Sequence, residues 1–315
     1  MIEKTRPLNP TPSGTPKSRP MGDLFGFPPS MQRETVRRMP AWLKRPIAFT
    51  GRKAFVEERL ALAGLHTVCV EAKCPNRGEC HAKGAATFLI LGDVCTRHCR
   101  FCNVHHGAPK AIDPEEPLRL SEAAFQMGLR HVVVTSVTRD DLPDGGAVVF
   151  ARTVHLLRRR IPKVTVELLV PDFSGNQAAL ETVIKSGPDI FSHNMETVPR
   201  LYTSVRPGAS YERSLELLAK AAKCKGPFKT KSGLMAGLGE SAREMEDAMA
   251  DLRKAGCSIV TIGQYLQPSA GQVPVVEFIN PQLFKRFEET GRAMGFYKVL
   301  AGPYVRSSYR AFEMV

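Results

Sequence analysis

Six of the eight cysteines in this 315-residue chain fall within 34 positions: Cys69, Cys74, Cys80, Cys95, Cys99 and Cys102. They form two triplets, C-x4-C-x5-C and C-x3-C-x2-C. Thiols this dense must be gathered around something, and the fold has to bring each triplet together. Eight cysteines in a chain of this length are too sparse for a disulfide scaffold. The start, Met1–Pro20, is polar and rich in Pro, Ser, Thr and Lys, with no apolar core, so it does not read as a secretory signal. The expectation is a reducing, cytoplasmic setting, where clustered cysteines mean metal or catalysis.

Three thiolates on one loop can hold three corners of a cubane cluster and leave its fourth iron open. A structural zinc fills four positions, so either triplet would need a fourth ligand. His81, His98, His105 and His106 lie close enough in sequence to offer a Cys3His site. Soft sulfur ligands suit zinc and iron–sulfur centres alike, so ligand type leaves both open. The spacing does not match a zinc finger. Cys224 and Cys257 stand apart and read as small buried residues.

The charge is lopsided. Lys plus Arg number 44 against 31 Asp plus Glu, a net +13, which asks for an acidic partner. Nucleic acid, an anionic membrane surface and an acidic protein all qualify. No apolar run is long enough for a membrane span. The run Lys225–Lys231 adds to the positive surface.

Residues 1–50 hold nine prolines and read as an irregular arm, with Trp42, Leu43, Ile47 and Phe49 anchoring its later part. A short helix is predicted over 53–64. From residue 86, β-branched runs alternate with helix-length amphipathic stretches. The predicted strands are Thr87–Leu91, His131–Ser136, Thr165–Leu169, Ile190–His193, Thr230–Met235 and Ile259–Tyr265. The predicted helices are Leu118–Met127, Ala147–Arg159, Asn176–Lys185, Tyr211–Cys224, Ser241–Ala255 and Pro281–Met294. Such alternation argues for parallel strands with crossover helices. A partial barrel and an open doubly wound sheet both satisfy it. Polar residues gather after the strands: Arg139, Asp140 and Asp141, then Asp172, then Asn194 and Glu196, then Gln264 and Gln267. Strand C-terminal ends are where ligands bind in such folds, though Asp and Asn there also cap helices.

Cys95-x3-Cys99-x2-Cys102, with Phe101 before the last cysteine and a strand just upstream, resembles the signature of the radical S-adenosylmethionine superfamily. The first triplet, in the string Cys69-Val-Glu-Ala-Lys-Cys-Pro-Asn-Arg-Gly-Glu-Cys80, resembles the lipoyl synthase family within it. So do Arg306-Ser307-Ser308-Tyr309, the stretch from Thr135 to Gly146, the stretch from Asn194 to Pro207, and Lys229–Glu240. The resemblance runs from about residue 40 to 312.

That resemblance implies an α/β fold: a partial (β/α)6 TIM-like barrel over 86–280. It also implies N-terminal and C-terminal extensions, 51–85 and 281–315, that carry an auxiliary cluster. It implies an enzyme that inserts two sulfur atoms at carbons 6 and 8 of a protein-bound octanoyl-lysine. Alkyl C–H bonds are not acidic, so a side-chain base cannot activate them and a radical cofactor must. Its cofactors would be two [4Fe–4S] clusters and S-adenosylmethionine. By the resemblance, Cys95, Cys99 and Cys102 hold the radical-generating cluster. Cys69, Cys74 and Cys80, with Ser308 as fourth ligand and Ser307 as the alternative, hold the cluster that donates sulfur. Phe101, Ser136, Asn194, Arg206 and Glu167 are the candidates for binding S-adenosylmethionine. Arg206 suits a carboxylate, and Glu167 or Glu196 an amino or sulfonium group, unless they form framework ion pairs. Gly145 and Gly146 either let the backbone approach the cofactor or simply make a turn.

The implied partners are octanoylated lipoyl carrier domains, which are acidic, such as 2-oxoacid dehydrogenase E2 subunits or the glycine cleavage H protein. A reductant protein joins them; no nucleic acid and no membrane span are expected, and a monomer suffices. The alternatives are another radical sulfur-inserting or methylthio-transferring enzyme and, more distantly, a zinc-dependent nucleic-acid-binding protein.

Overall fold

The structure, a computed structural model, describes residues 38–44, 51–224, 226 and 228–314. Most of the 1–50 arm, with Ile47 and Phe49, and also Lys225 and Pro227, lie outside the described residues. Leu43 is buried and Trp42 is exposed, so of that described pair only Leu43 anchors.

Ten strands and ten helices are named here in chain order. Helices α1 (Gly51–Leu62), α2 (Val68–Glu71) and α3 (Arg77–Ala82) surround β1 (His66–Thr67). Then come β2 (Thr87–Ile90), the two-residue strands β3 (Val94–Cys95) and β4 (His105–His106), and α4 (Glu116–Gln126). The repeat continues as β5 (His131–Ser136), α5 (Ala147–Arg160), β6 (Thr165–Leu169), α6 (Gln177–Lys185) and β7 (Ile190–Ser192). After α7 (Tyr202–Val205) and α8 (Tyr211–Lys223) follow β8 (Lys229–Ala236), α9 (Ala242–Lys254), β9 (Ile259–Gln264), α10 (Pro281–Ala293) and β10 (Lys298–Gly302). The helices begin where hydroxyl and amide side chains predict: Asn176, Ser210, Ser241 and Asn280 each accept a first-turn backbone N–H, and Ser241 with Glu244 closes a capping box.

The main sheet runs β1-β2-β5-β6-β7-β8-β9-β10. Every pair is parallel except β1 with β2. The order never reverses from β2 to β10. Right-handed crossovers that always step the same way put every crossover helix on one face. A doubly wound sheet needs a reversal. The partial barrel is therefore the architecture, with β10 as a seventh parallel strand. The expectation of six strands was one short: α10 leads into β10, so the sheet runs past residue 280.

The two faces differ in chemistry. Phe88, Ile90, Val132, Val134, Val166, Leu168 and Phe191 point to the helices and pack with Leu120, Phe150, Leu157 and Val183 in the main core. Each such side chain contributes roughly 1.5–3 kcal/mol. The opposite register carries His131, Thr135, Glu167, Ser192, Lys231 and Thr261. A β/α layer that turns a polar face inward has built a site there.

Candidate active site

The second triplet occupies the loop that leaves the C-terminal end of β2. Three neighbouring strand ends fasten it. Thr96 N donates to Thr138 O at 3.0 Å, and Thr138 N donates to Cys95 Sγ at 3.3 Å. Arg100 N donates to Val205 O, and Val273 N to Arg100 O, each at 2.9 Å. Arg97, its side chain only 7% exposed, forks onto Asp140 at 2.7 and 2.9 Å and reaches Asp172 at 2.6 Å. Arg213 grips the other oxygen of Asp172 at 2.7 Å. Burial alone would raise the Asp172 carboxyl, but the two guanidiniums outweigh it and hold the group well below the usual range. The acidic residues after β5 and β6 thus act through Arg97 on the loop. Arg139 pairs with Asp141 at 2.8 Å, and Gln264 bonds backbone at Tyr265, Glu277 and Ile279.

Asn194, Glu196 and Arg206 converge beside Cys99. Asn194 Nδ2 donates to Glu196 Oε1 at 3.1 Å. Arg206 Nη1 donates to Asn194 O and to Tyr202 Oη, both at 2.8 Å. Tyr202 and His193 both meet Ser214 Oγ, at 2.9 and 3.0 Å, so a hydrogen-bonded chain runs from the core to Arg206. Glu196 adopts φ +69°, in the left-handed region, and its own backbone is tied to β8: its N–H donates to Gly233 O at 2.9 Å and its carbonyl accepts from Met235 N at 2.8 Å. Burial raises the Glu196 carboxyl, against the pull of Arg206. Ser136 Oγ and Asn194 Oδ1 are buried without a hydrogen-bond partner. Orphaned oxygens just at or after the C-terminal ends of β5 and β7 fit a small polar ligand such as S-adenosylmethionine.

Glu167 does not join this group. Its carboxylate accepts from Lys231 Nζ at 2.8 and 3.0 Å, and both side chains are 0% exposed. It is a framework ion pair, and Lys231 is no part of the positive surface. Phe101 is half-buried within the loop. Gly145 and Gly146 make the turn into α5: a β-carbon on Gly146 would sit 2.2 Å from Leu91 Cδ1, so the close approach is to a side chain. Cys257 is buried as expected, whereas Cys224 is exposed.

The first triplet lies at the other end of the same strands. Cys69, Cys74 and Cys80 line one pocket with Thr87, His131 and Val133, at the N-terminal edges of β2 and β5. At about 3.3 Å per residue, β2 separates the two ends by roughly 13 Å. Ser308 lines this pocket too; Ser307 does not, although its Oγ is buried without a partner. The C-terminal tail is tied to the triplet segment. Asn76 Nδ2 donates to Tyr304 O at 2.6 Å, and Tyr309 Oη donates to Glu79 Oε1 at 3.1 Å. Arg306 stands between the two ends and feels the charge of both Cys74 and Glu196. Sequence reasoning missed His131, Asn76 and Arg306 as pocket residues.

Burial pushes the Cys69 and Cys99 thiols up to about 11 and those of Cys80 and Cys102 up to about 12. Such thiols ionise only against a cation, which is what a cluster iron supplies. The donor sets therefore fit iron–sulfur clusters. Among the described residues no group of three or more His, Cys, Asp or Glu closes on a single ion.

The model of the radical SAM superfamily matches residues 89–252. The chain is 54% identical to the lipoyl synthase of Caldanaerobacter subterraneus subsp. tengcongensis over 277 residues, covering 88% of this chain and 96% of that one. It is 48% identical to the lipoyl synthase of Rubrobacter xylanophilus over 308 residues, 98% and 94% of the two chains. The chain belongs to the lipoyl synthase family. Solved structures place this lipoyl synthase family member on the radical SAM fold. Streptococcus suis SuiB bound to S-adenosylmethionine superposes with a TM-score of 0.55 at 12% identity, covering 72% of this chain and 54% of that one. Methylornithine synthase (PylB) gives 0.50 at 14% identity, covering 70% and 73%. The chain spans about half the length of SuiB, and these likenesses concern the fold alone. Among the described residues no helix is long and apolar enough to cross a membrane.

Proposed function

We infer that this chain is a radical S-adenosylmethionine sulfurtransferase, a lipoyl synthase that acts on lipoyl carrier proteins. The observation that carries the reading is the pair of thiol triplets at opposite ends of one polar sheet face, in a chain of this family. Sulfur goes in at carbons 6 and 8 of a protein-bound octanoyl-lysine. When bound, S-adenosylmethionine and the [4Fe–4S] clusters supply the hydrogen-abstracting radical and the sulfur.

The chain's own residues do the rest. Cys95, Cys99 and Cys102 hold the radical-generating cluster, and the Arg97 clamp fixes their loop. Arg206 takes the methionyl carboxylate, held in place by Tyr202 and the Asn194 carbonyl. Glu196 and Asn194 take the amino end, and Ser136 with Phe101 lines the remainder. Cys69, Cys74, Cys80 and Ser308 hold the sulfur donor. A serine oxygen would be a hard ligand beside three thiolates, and more readily displaced than they are. The octanoyl chain enters between the two ends, over Arg306. Octanoylated carrier domains and a reductant protein are the partners, and the +13 charge steers acidic carriers in.

Metal and sulfide analysis of anaerobically purified protein tests this. Two cubanes require about eight iron and eight acid-labile sulfide per chain. Zinc without labile sulfide would overturn the reading.

A further inference from the structure

We propose that Gly263, on β9, is the seat of the C-terminal tail and so positions Ser308 at the first triplet. The proposal rests on the reading of Ser308 and that triplet as one cluster site. Gly263 lies in a fully buried strand, in register with Met235 on one side and Gly302 on the other. Its backbone is outside the left-handed region, so conformational freedom does not call for glycine here. Space does. A β-carbon at 263 would stand 2.0 Å from Val305 O, 3.0 Å from the Val305 carbonyl carbon and 3.0 Å from Arg306 Nη1. The nearest obstacle is backbone, which cannot swing aside as a side-chain end can.

The backbone in question is pinned from several sides. Val305 N donates to Gly302 O at 3.0 Å, closing the turn after β10. Arg306 Nη1 donates to Val305 O at 2.7 Å. Asn76, two residues beyond Cys74, holds Tyr304 O, and Tyr304 Oη donates to the carbonyl of Leu43. Three residues after Val305, Ser308 enters the pocket. Moving the carbonyl from 2.0 Å to an ordinary 3.4 Å contact shifts the tail by roughly 1.4 Å, while Asn76 and Cys80 stay where α3 holds them. Ser308 would then miss the triplet. Gly263 is a positioning residue: it touches neither substrate nor cluster, and acts through the turn.

The test is hydrogen exchange by mass spectrometry on the full reconstituted chain, with cleavage of S-adenosylmethionine and sulfur insertion measured on the same samples. Three glycines give a graded series. A β-carbon meets nothing within 4 Å at Gly271, an ordinary 3.4 Å contact at Gly302, and backbone at 2.0 Å at Gly263. Exchange of the amides of 304–310 should rise in that order on substitution by Ala. Gly263→Ala should exchange at least about tenfold faster and lose at least about tenfold in sulfur insertion, with cleavage within about twofold of wild type. Tyr304→Phe disturbs the same turn from the tail side and should also speed exchange there, which keeps the test alive if Gly263→Ala does not fold. Wild-type exchange over 304–310 in a folded Gly263→Ala overturns the proposal. If that variant does not fold, wild-type exchange in Tyr304→Phe overturns it. Ser308→Ala separates the underlying reading: it should lose insertion with tail exchange unchanged. Full insertion in Ser308→Ala would sink the ligand assignment, while the exchange series would still judge the seat.

Discussion

The two thiol triplets sit at opposite ends of one sheet face and are held by different kinds of structure. The loop of Cys95, Cys99 and Cys102 grows directly out of β2 and is fastened by the ends of neighbouring strands, with Arg97 clamped by Asp140 and Asp172. The pocket of Cys69, Cys74 and Cys80 is assembled from chain segments far apart in sequence, joined by Asn76 to Tyr304 and Tyr309 to Glu79. The first arrangement is part of the core repeat and suits a site that must keep its geometry over many cycles. The second depends on a tail, which suits the proposed role of this site as the sulfur donor.

The comparison can be broken at several strengths. Cys95→Ala should abolish both cleavage of S-adenosylmethionine and sulfur insertion, since the second depends on the first. Chromatography of 5′-deoxyadenosine and mass spectrometry of the carrier check this. Arg97→Ala keeps every proposed ligand but frees the loop. Cleavage should fall about 10²-fold, the usual result of a misplacement near 1 Å. The variant should also be destabilised by about 1–3 kcal/mol, because Asp172 stays buried with one partner lost and only Arg213 remaining. Calorimetry and turnover on the same sample separate the two effects.

A pH-dependent effect, felt only as the medium is acidified, belongs to the Cys95–Cys102 end alone. Burial lowers the His193 imidazole to about 3, from an ordinary value near 6.5. The unfolded chain therefore takes up this proton first as pH falls. The stability contribution is full above about 6.5 and is lost as pH drops towards 3, at up to about 1.4 kcal/mol per pH unit. His193→Gln should flatten that part of the stability curve. Because Ser214 and Tyr202 link His193 to Arg206, weaker binding of S-adenosylmethionine should accompany the loss in wild type.

Much of this was legible in the sequence, for a physical reason. Strands with β-branched runs and helices opened by Asn or Ser are specified locally, so β5 and β6 match their predicted limits. The Cys95–Cys102 loop is likewise local: three cysteines within eight residues, after a strand. What stayed hidden is what tertiary contact decides. Glu167 and Lys231 are 64 positions apart, and nothing in either neighbourhood announces a buried pair. Asn76 and Tyr304 are 228 apart. The seventh strand, Lys298–Gly302, is short and ends in Ala-Gly, so its composition does not mark it as a strand until it pairs with β9. Barrel and doubly wound sheet share one alternating pattern, and only the strand order distinguishes them.

The central claim is a division of labour between the two ends, and Cys69→Ala tests it most directly. The measurement is 5′-deoxyadenosine and sulfurated carrier from the same anaerobic reaction. With the radical-generating end intact, 5′-deoxyadenosine should still form while sulfurated carrier falls to background. Full sulfur insertion by Cys69→Ala, or loss of 5′-deoxyadenosine in a folded variant, would contradict the account.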